Sequence, residues 1–173
     1  MRMPYTIQET AHPTHASLNA LFARSTTRFS DPVSSPCLNP TTSHTFIATP
    51  SDIPIPPAAP IALISFVVDQ KERHTSLWRK SWPEKSGSTD PGTQVVKVVR
   101  AAVAPEFAGK GVEQMLFREV ERWAEMRCLD RVGVTLAEDM VRETEMLEAL
   151  GYRMVGWRRD GAYGKVFTLE RML

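Results

Sequence analysis

The chain is short of cysteine, of charge imbalance and of long apolar runs, and each shortage closes off a class of protein. Only two cysteines, Cys37 and Cys128, occur in 173 residues. They can form at most one bridge, and neither stands in a CxxC or Cys/His pattern with zinc spacing. Both are read as reduced thiols, with no metal centre. Lys plus Arg number 21 against 20 Asp plus Glu, a formal net charge of +1. A binder of nucleic-acid backbone needs a strong basic surplus, so no nucleic-acid partner is expected. The longest apolar stretch, Ile61 to Val68, is too short to cross a bilayer. Met1 to Thr10 carries one Arg and no apolar run of signal-peptide length. The expectation is a cytoplasmic protein with no membrane partner. No internal repeat is visible.

What is present fits one globular domain over residues 1–173, with 42% hydrophobic and 24% charged residues. Residues 1–60 are rich in Ser, Thr and Pro. Tyr5 to Glu9 alternates as a short strand. His15 to Arg24 places Leu18, Leu21 and Phe22 at helical spacing behind Thr14 as N-cap. Ser25 to Thr45 has almost no periodicity, and Pro32, Pro36 and Pro40 mark Ser30 to Pro40 as loop. Thr45 to Ala48 is a short strand candidate, and Pro50 to Pro60 a stiff connector. Residues 61–173 form the core. Ile61 to Asp69 and Thr93 to Val103 are strands by their β-branched content, separated by a polar insertion, Lys71 to Gly92. Lys110 to Arg127 is an amphipathic helix, with Val112, Met115, Leu116, Val120, Trp123 and Ala124 at i, i+3, i+4 spacing. Arg131 to Leu136 is a strand, and Met140 to Leu150 a helix closed by Gly151. Tyr152 to Trp157 and Lys165 to Glu170 are closing strands around the turn-rich Arg158 to Gly164. Met115, Met126, Met140 and Met146 are read as core. The pattern predicts an α/β (α+β) fold with helices packed on a mixed sheet.

The chemistry concentrates where the strongest strand meets the longest helix, from Ala102 to Glu113. A strand ends there, a loop containing Gly109 and Gly111 follows, and a helix begins. Such a junction aims backbone N–H groups and the positive helix end at one spot, which suits an anion. The glycines let the main chain approach a phosphate closely, and Lys110 adds a point charge. The loop has neither the Gly-Lys-Ser/Thr ending of a P-loop nor the GxGxxG spacing of a dinucleotide fold. On its own it indicates an anion or a nucleotide phosphate.

In register, the junction resembles the diphosphate loop of the GNAT superfamily of acyl-CoA-dependent N-acyltransferases, V-x-P-x-x-[Q/R]-x-x-G-x-[G/A]. Val103, Pro105 and Gly111 match, and the apolar pair Leu116-Phe117 follows at the right distance. Downstream, Leu150-Gly151-Tyr152 matches the family's "Leu-Gly-Phe". The resemblance covers about Val95 to Trp157, and the element order extends it to the C-terminus. It departs at Ala108, in place of Gln/Arg, and at Glu113, in place of Gly/Ala. Met140 and Leu147 stand where many members have Asn and the Tyr that protonates the leaving thiolate. Lys97 stands where some have a general-base Glu.

The resemblance implies a single mixed, largely antiparallel sheet of about seven strands, flanked by helices. It implies acetyl-CoA or another acyl-CoA as cosubstrate, held by Val103, Ala104, Ala108, Gly109, Lys110, Gly111, Val112 and Glu113. Acyl transfer to an amine of a small molecule or peptide would be direct, within a ternary complex, by a monomer or homodimer. Backbone N–H groups near Val103 would bind the pantetheine arm and polarise the thioester. The alternatives are a protein of this fold with weakened or lost CoA binding and another chemical or regulatory role, and an unrelated anion-binding module. Candidate catalytic groups are Glu138 and Asp139, after the strand at Leu136, and Tyr163 in the final turn. Asp139 is read first as a cap on the helix that follows, and Tyr163 either reaches an acceptor pocket or fills its turn. Trp78 and Trp82 are candidate walls of an acceptor pocket or a lid on the sheet. His44 and His74 are read as surface or strand-end residues, and Arg158-Arg159-Asp160 as a solvated turn.

Overall fold

The computed structural model describes residues 5–10, 20, 21, 23–25, 27–30, 43–51, 60–70, 94–161 and 164–173. Eight strands form one sheet: β1 (Tyr5–Glu9), β2 (Thr27–Ser30), β3 (Ser43–Pro50), β4 (Ala62–Gln70), β5 (Gln94–Val103), β6 (Arg131–Ala137), β7 (Arg153–Asp160) and β8 (Gly164–Met172). Seven follow the order β1-β3-β4-β5-β6-β8-β7, and β2 pairs with β5 off that path. Among the described residues β5 and β6 run parallel and the other pairs are antiparallel. The expected mixed, mostly antiparallel sheet is therefore present, with helices α1 (Val112–Glu125) and α2 (Val141–Ala149).

Helix α1 buries Val112, Leu116, Phe117, Val120, Trp123 and Ala124 against Phe46, Ile64, Phe66, Val96 and Val98 on one face of the sheet. Full burial of each large side chain contributes about 1.5–3 kcal/mol, so this stripe fixes the helix on the sheet. On the opposite face Leu21, 1% exposed, packs with Leu63, Ala102 and Ala104. The chain is helical at residues 20, 21, 23 and 24, part of the span expected from His15 to Arg24. Helix α2 ends as expected at Gly151, whose φ of +96° suits glycine. The Gly151 N–H donates to Glu148 O at 2.9 Å, and the Tyr152 N–H to Leu147 O at 3.0 Å, the paired bonds of a Schellman ending.

Three local readings differ. Thr27–Ser30 is a strand within a segment that has no periodicity, because its order comes from pairing with β5 and not from its own pattern. Arg158, Arg159 and Asp160 belong to β7, which stays paired to β8 as far as Asp160↔Gly164, so the turn begins later. Met126 is 63% exposed, because it caps the C-terminus of α1 beyond the buried stripe. Lys71 to Gly92, with Trp78, Trp82 and His74, lies outside the described residues, as do Tyr163, Cys37 and most of the Pro50 to Pro60 connector.

The site is positioned by one irregularity in β5. Its pairing with β4 shifts between Ser65↔Arg100 and Phe66↔Val98, which leaves Val99 as an extra residue. A bulge of this kind bends its strand and increases the local twist. The parallel ladder to β6 covers Val95↔Arg131 through Val98↔Val134 and stops there, although β6 runs on to Ala137. Past the bulge the two central strands part. The other edge of β5 stays on β4, so β2, which pairs with Arg100 to Val103, must lie on the β6-facing edge, inside the splay.

Candidate active site

The loop leaving β5 is built to present unpaired backbone donors. Ala104 is fully buried, and its N–H donates to Ile61 O at 2.7 Å, which pins the end of the strand. Pro105–Phe107 then makes a single 3₁₀ turn. Gly109 and Gly111 take φ values of +71° and +82°, which L side chains adopt only under strain. Gly111 is the N-cap of α1 and carries no side chain to cap it. The first-turn N–H groups of Val112, Glu113 and Gln114 have no intrahelical acceptor, and they sit at the positive end of the helix.

Two adjoining cavities open from this end. The outer one, about 230 Å³, is lined by Gly109, Gly111, Glu113, Gln114, Arg142, Glu143 and Met146. The inner one, a narrow cavity of about 30 Å³, runs into the splay past Ala101, Ala102 and Val103 of β5, Leu116 and Phe117 of α1, Val134 and Leu136 of β6, and Met146 and Leu147 of α2. Glu113, Glu143 and Met146 line both, so they form the junction of one continuous cleft. The cleft thus has a donor-rich mouth and an apolar interior. That division suits a ligand with an anionic head and a long, weakly polar arm.

Of the residues expected from the sequence, Val103, Gly109, Gly111 and Glu113 line the cleft, and Val112 opens the helix beside it with its side chain buried. Ala104 is committed to the fold, and the Ala108 N–H donates to Pro105 O at 3.3 Å. The Lys110 ammonium lies 5.3 Å from the Phe107 ring centroid. Glu138 and Asp139 form an exposed turn, and neither lines the cleft. The N-cap of α2 is Met140, and no side chain caps it, so the expected Asp139 cap is not formed. Arg142, Glu143 and Met146 bring α2 into the site. The positions of Arg142 and Glu143, the second and third residues of a helix that follows β6, were the available signal, but polar residues there look like any solvated first turn. His44 lies at the other end of the sheet, 2.7 Å from Glu9, stacked on Phe66 and tilted against Trp123.

No family model matches the sequence, and no curated protein matches it either. Solved structures do match over nearly the whole chain. The structure of the NatC complex bound to Gag peptide and CoA contains a chain similar to this one at TM-score 0.68 and 17% identity, covering 99% of each chain. A GNAT family acetyltransferase from Elizabethkingia anophelis with acetyl-CoA bound matches at TM-score 0.66 and 12% identity, over 99% of this chain and 100% of that one. Arabidopsis thaliana NAA60 in complex with acetyl-CoA matches at TM-score 0.67 and 8% identity, over 98% of each. At these identities the likeness concerns the fold: this chain has the GNAT acetyltransferase fold.

Proposed function

We propose that the protein is an acyltransferase that moves an acetyl or other acyl group from acyl-CoA directly to an amine of a small molecule or peptide. The observation that carries this reading is the continuous cleft, with unpaired helix N–H groups at its mouth and the splayed β5 end in its apolar interior. The mouth suits the diphosphate, with Arg142 as its cationic wall. The apolar interior suits the pantetheine arm and the acyl group in polarity, has to widen to admit them, and is lined in part by Ala101 to Val103.

Aminolysis of a thioester needs a neutral amine near the carbonyl carbon, a base for its proton and a donor for the developing oxyanion. Backbone N–H groups of β5 past the bulge fill the donor role. Glu143, a carboxylate at the junction of mouth and interior, is the candidate base in place of Glu138 and Asp139. The amine loses its proton to the carboxylate as the C–N bond forms, and the C–S bond breaks to release CoA as thiol. Leu147, at 1% exposure, supplies no proton, so water or the protonated Glu143 serves the thiolate. Proximity alone supplies about 7–11 kcal/mol in well-aligned cases, so the missing tyrosine lowers the rate without abolishing it.

The test is release of free thiol from acetyl-CoA in the presence of a panel of small amines and N-terminal peptides. Amine-dependent release is expected, with Glu143→Gln lowering kcat while acetyl-CoA still binds. The reading fails if no member of the panel raises thiol release above the rate without amine. A second reading, weakened CoA binding, is favoured by Glu113, whose carboxylate lines the mouth where a diphosphate would sit.

A further inference from the structure

We propose that β2 is an internal strap that occupies the edge of β5 needed by the acyl-donor arm, so that donor binding requires the strap to peel away. A strand has two edges. Between Arg100 and Val103 one edge of β5 is paired with β4, from Ser65 to Ala62, and the other with β2, from Ser30 to Thr27. The second edge is the one that β6 leaves after Val98↔Val134. Its N–H and C=O groups are the only main-chain groups of β5 that a ligand in the splay can reach, and β2 takes them in an antiparallel ladder.

The strap is short and tethered at its N-terminal end. Just before it, the Ser25 N–H and hydroxyl both donate to Leu21 O, at 3.0 and 2.7 Å. Leu21 is itself buried against Leu63, Ala102 and Ala104. Two residues later the chain enters the splay. Release of four paired residues would leave the Leu21 anchor in place, so opening is a local event and not a loss of fold. A ligand that binds only the open form has its apparent affinity lowered by the fraction of molecules that are open.

The inference rests on the acyl-CoA reading, and its test separates the two. In a Cys37→Ser/Cys128→Ser background, Arg28→Cys with Ala102→Cys places thiols at partner positions of the ladder. Calorimetric titration with acetyl-CoA then compares the oxidised and reduced forms. Oxidation should weaken binding by at least about tenfold, and reduction should restore it. A second variant, Arg28→Pro/Phe29→Pro, removes two adjacent amides, one of which faces β5. It should bind acetyl-CoA about tenfold more tightly than the unaltered chain, because the open form is more populated. Equal binding by the oxidised and reduced forms overturns the strap and leaves the donor reading intact. If neither the reduced cysteine pair nor the proline variant binds acetyl-CoA, the donor reading is wrong, and the strap falls with it.

Discussion

The two ends of α1 are built on opposite rules. At its C-terminal half a carboxylate is buried and held through one of its oxygens, while Glu121 Oε1 and Trp123 Nε1 are buried without a hydrogen-bond partner among the described residues. Glu121 is 3% exposed, and its Oε2 lies 3.0 Å from Arg171 Nη1 and 3.7 Å from Arg118 Nη1. Arg171 Nη1 also donates to Leu150 O at 2.5 Å, so one guanidinium joins α1, β8 and the end of α2. Burial pushes the Glu121 carboxyl above the ordinary range, against the pull of Arg171. Burial, reinforced by Glu121, likewise raises the neighbouring Tyr152 hydroxyl. At the N-terminal end the helix donors are uncapped and face an open cleft. One end holds three elements together, which allows the other to forgo its own hydrogen bonds and keep them for a ligand.

Breaking the tied end should give the largest effect. Arg171→Ala leaves Glu121 buried without its strongest partner, at a cost of about 3 kcal/mol. In a chain of this size that lowers the melting temperature by roughly 9 °C, measurable by calorimetry. At the open end, Gly111→Asp forces a side chain onto a φ of +82° and sets a carboxylate against the diphosphate position. It should destabilise the protein by about 1–2 kcal/mol and abolish any melting-temperature rise on adding acetyl-CoA, which Arg171→Ala should leave in place. A shift that survives Gly111→Asp would mean that another loop holds the ligand.

The pH dependence sharpens the contrast further. Because the folded-state pKa of Glu121 is raised above 4.5, the native state holds this proton more tightly than the unfolded chain does. Its contribution is therefore fully present below the ordinary carboxylate range and is lost as pH rises from about 4.5 through the elevated value. Glu121→Gln should flatten that decline in urea-denaturation midpoints across the same window. An unchanged slope would place the proton elsewhere. The smallest effect is expected from Glu113→Gln. Removing the carboxylate should tighten acetyl-CoA binding about fivefold, on the order of 1 kcal/mol. It should also cost a few tenths of a kcal/mol in stability, through loss of a favourable helix-end charge.

The sequence carried the donor side of this protein well and the rest poorly, for physical reasons. Val95 to Val99, the glycine loop and the apolar stripe from Val112 to Ala124 announce themselves by local pattern, and the strand, turn and helix form where the pattern puts them. Leu116 and Phe117, which set the register of the loop, are both buried in the core. β2 had no such pattern, because a four-residue strand inside a splay takes its conformation from β5. Arg142 and Glu143 were invisible for a related reason: they enter the site only through the placement of α2 beside α1, which local periodicity does not encode. Glu121 sits mid-helix among apolar residues, and its partner Arg171 lies fifty residues on, so their pairing depends wholly on the folded sheet.

The most direct measurement is the melting temperature of the unaltered chain and of Arg28→Pro/Phe29→Pro across an acetyl-CoA titration. Donor binding at the open end of α1 predicts a rise that grows with ligand, of about 6 °C at a hundredfold excess over Kd in a chain of this size, reached at lower ligand in the proline variant. No rise in either protein at saturating acetyl-CoA would contradict it.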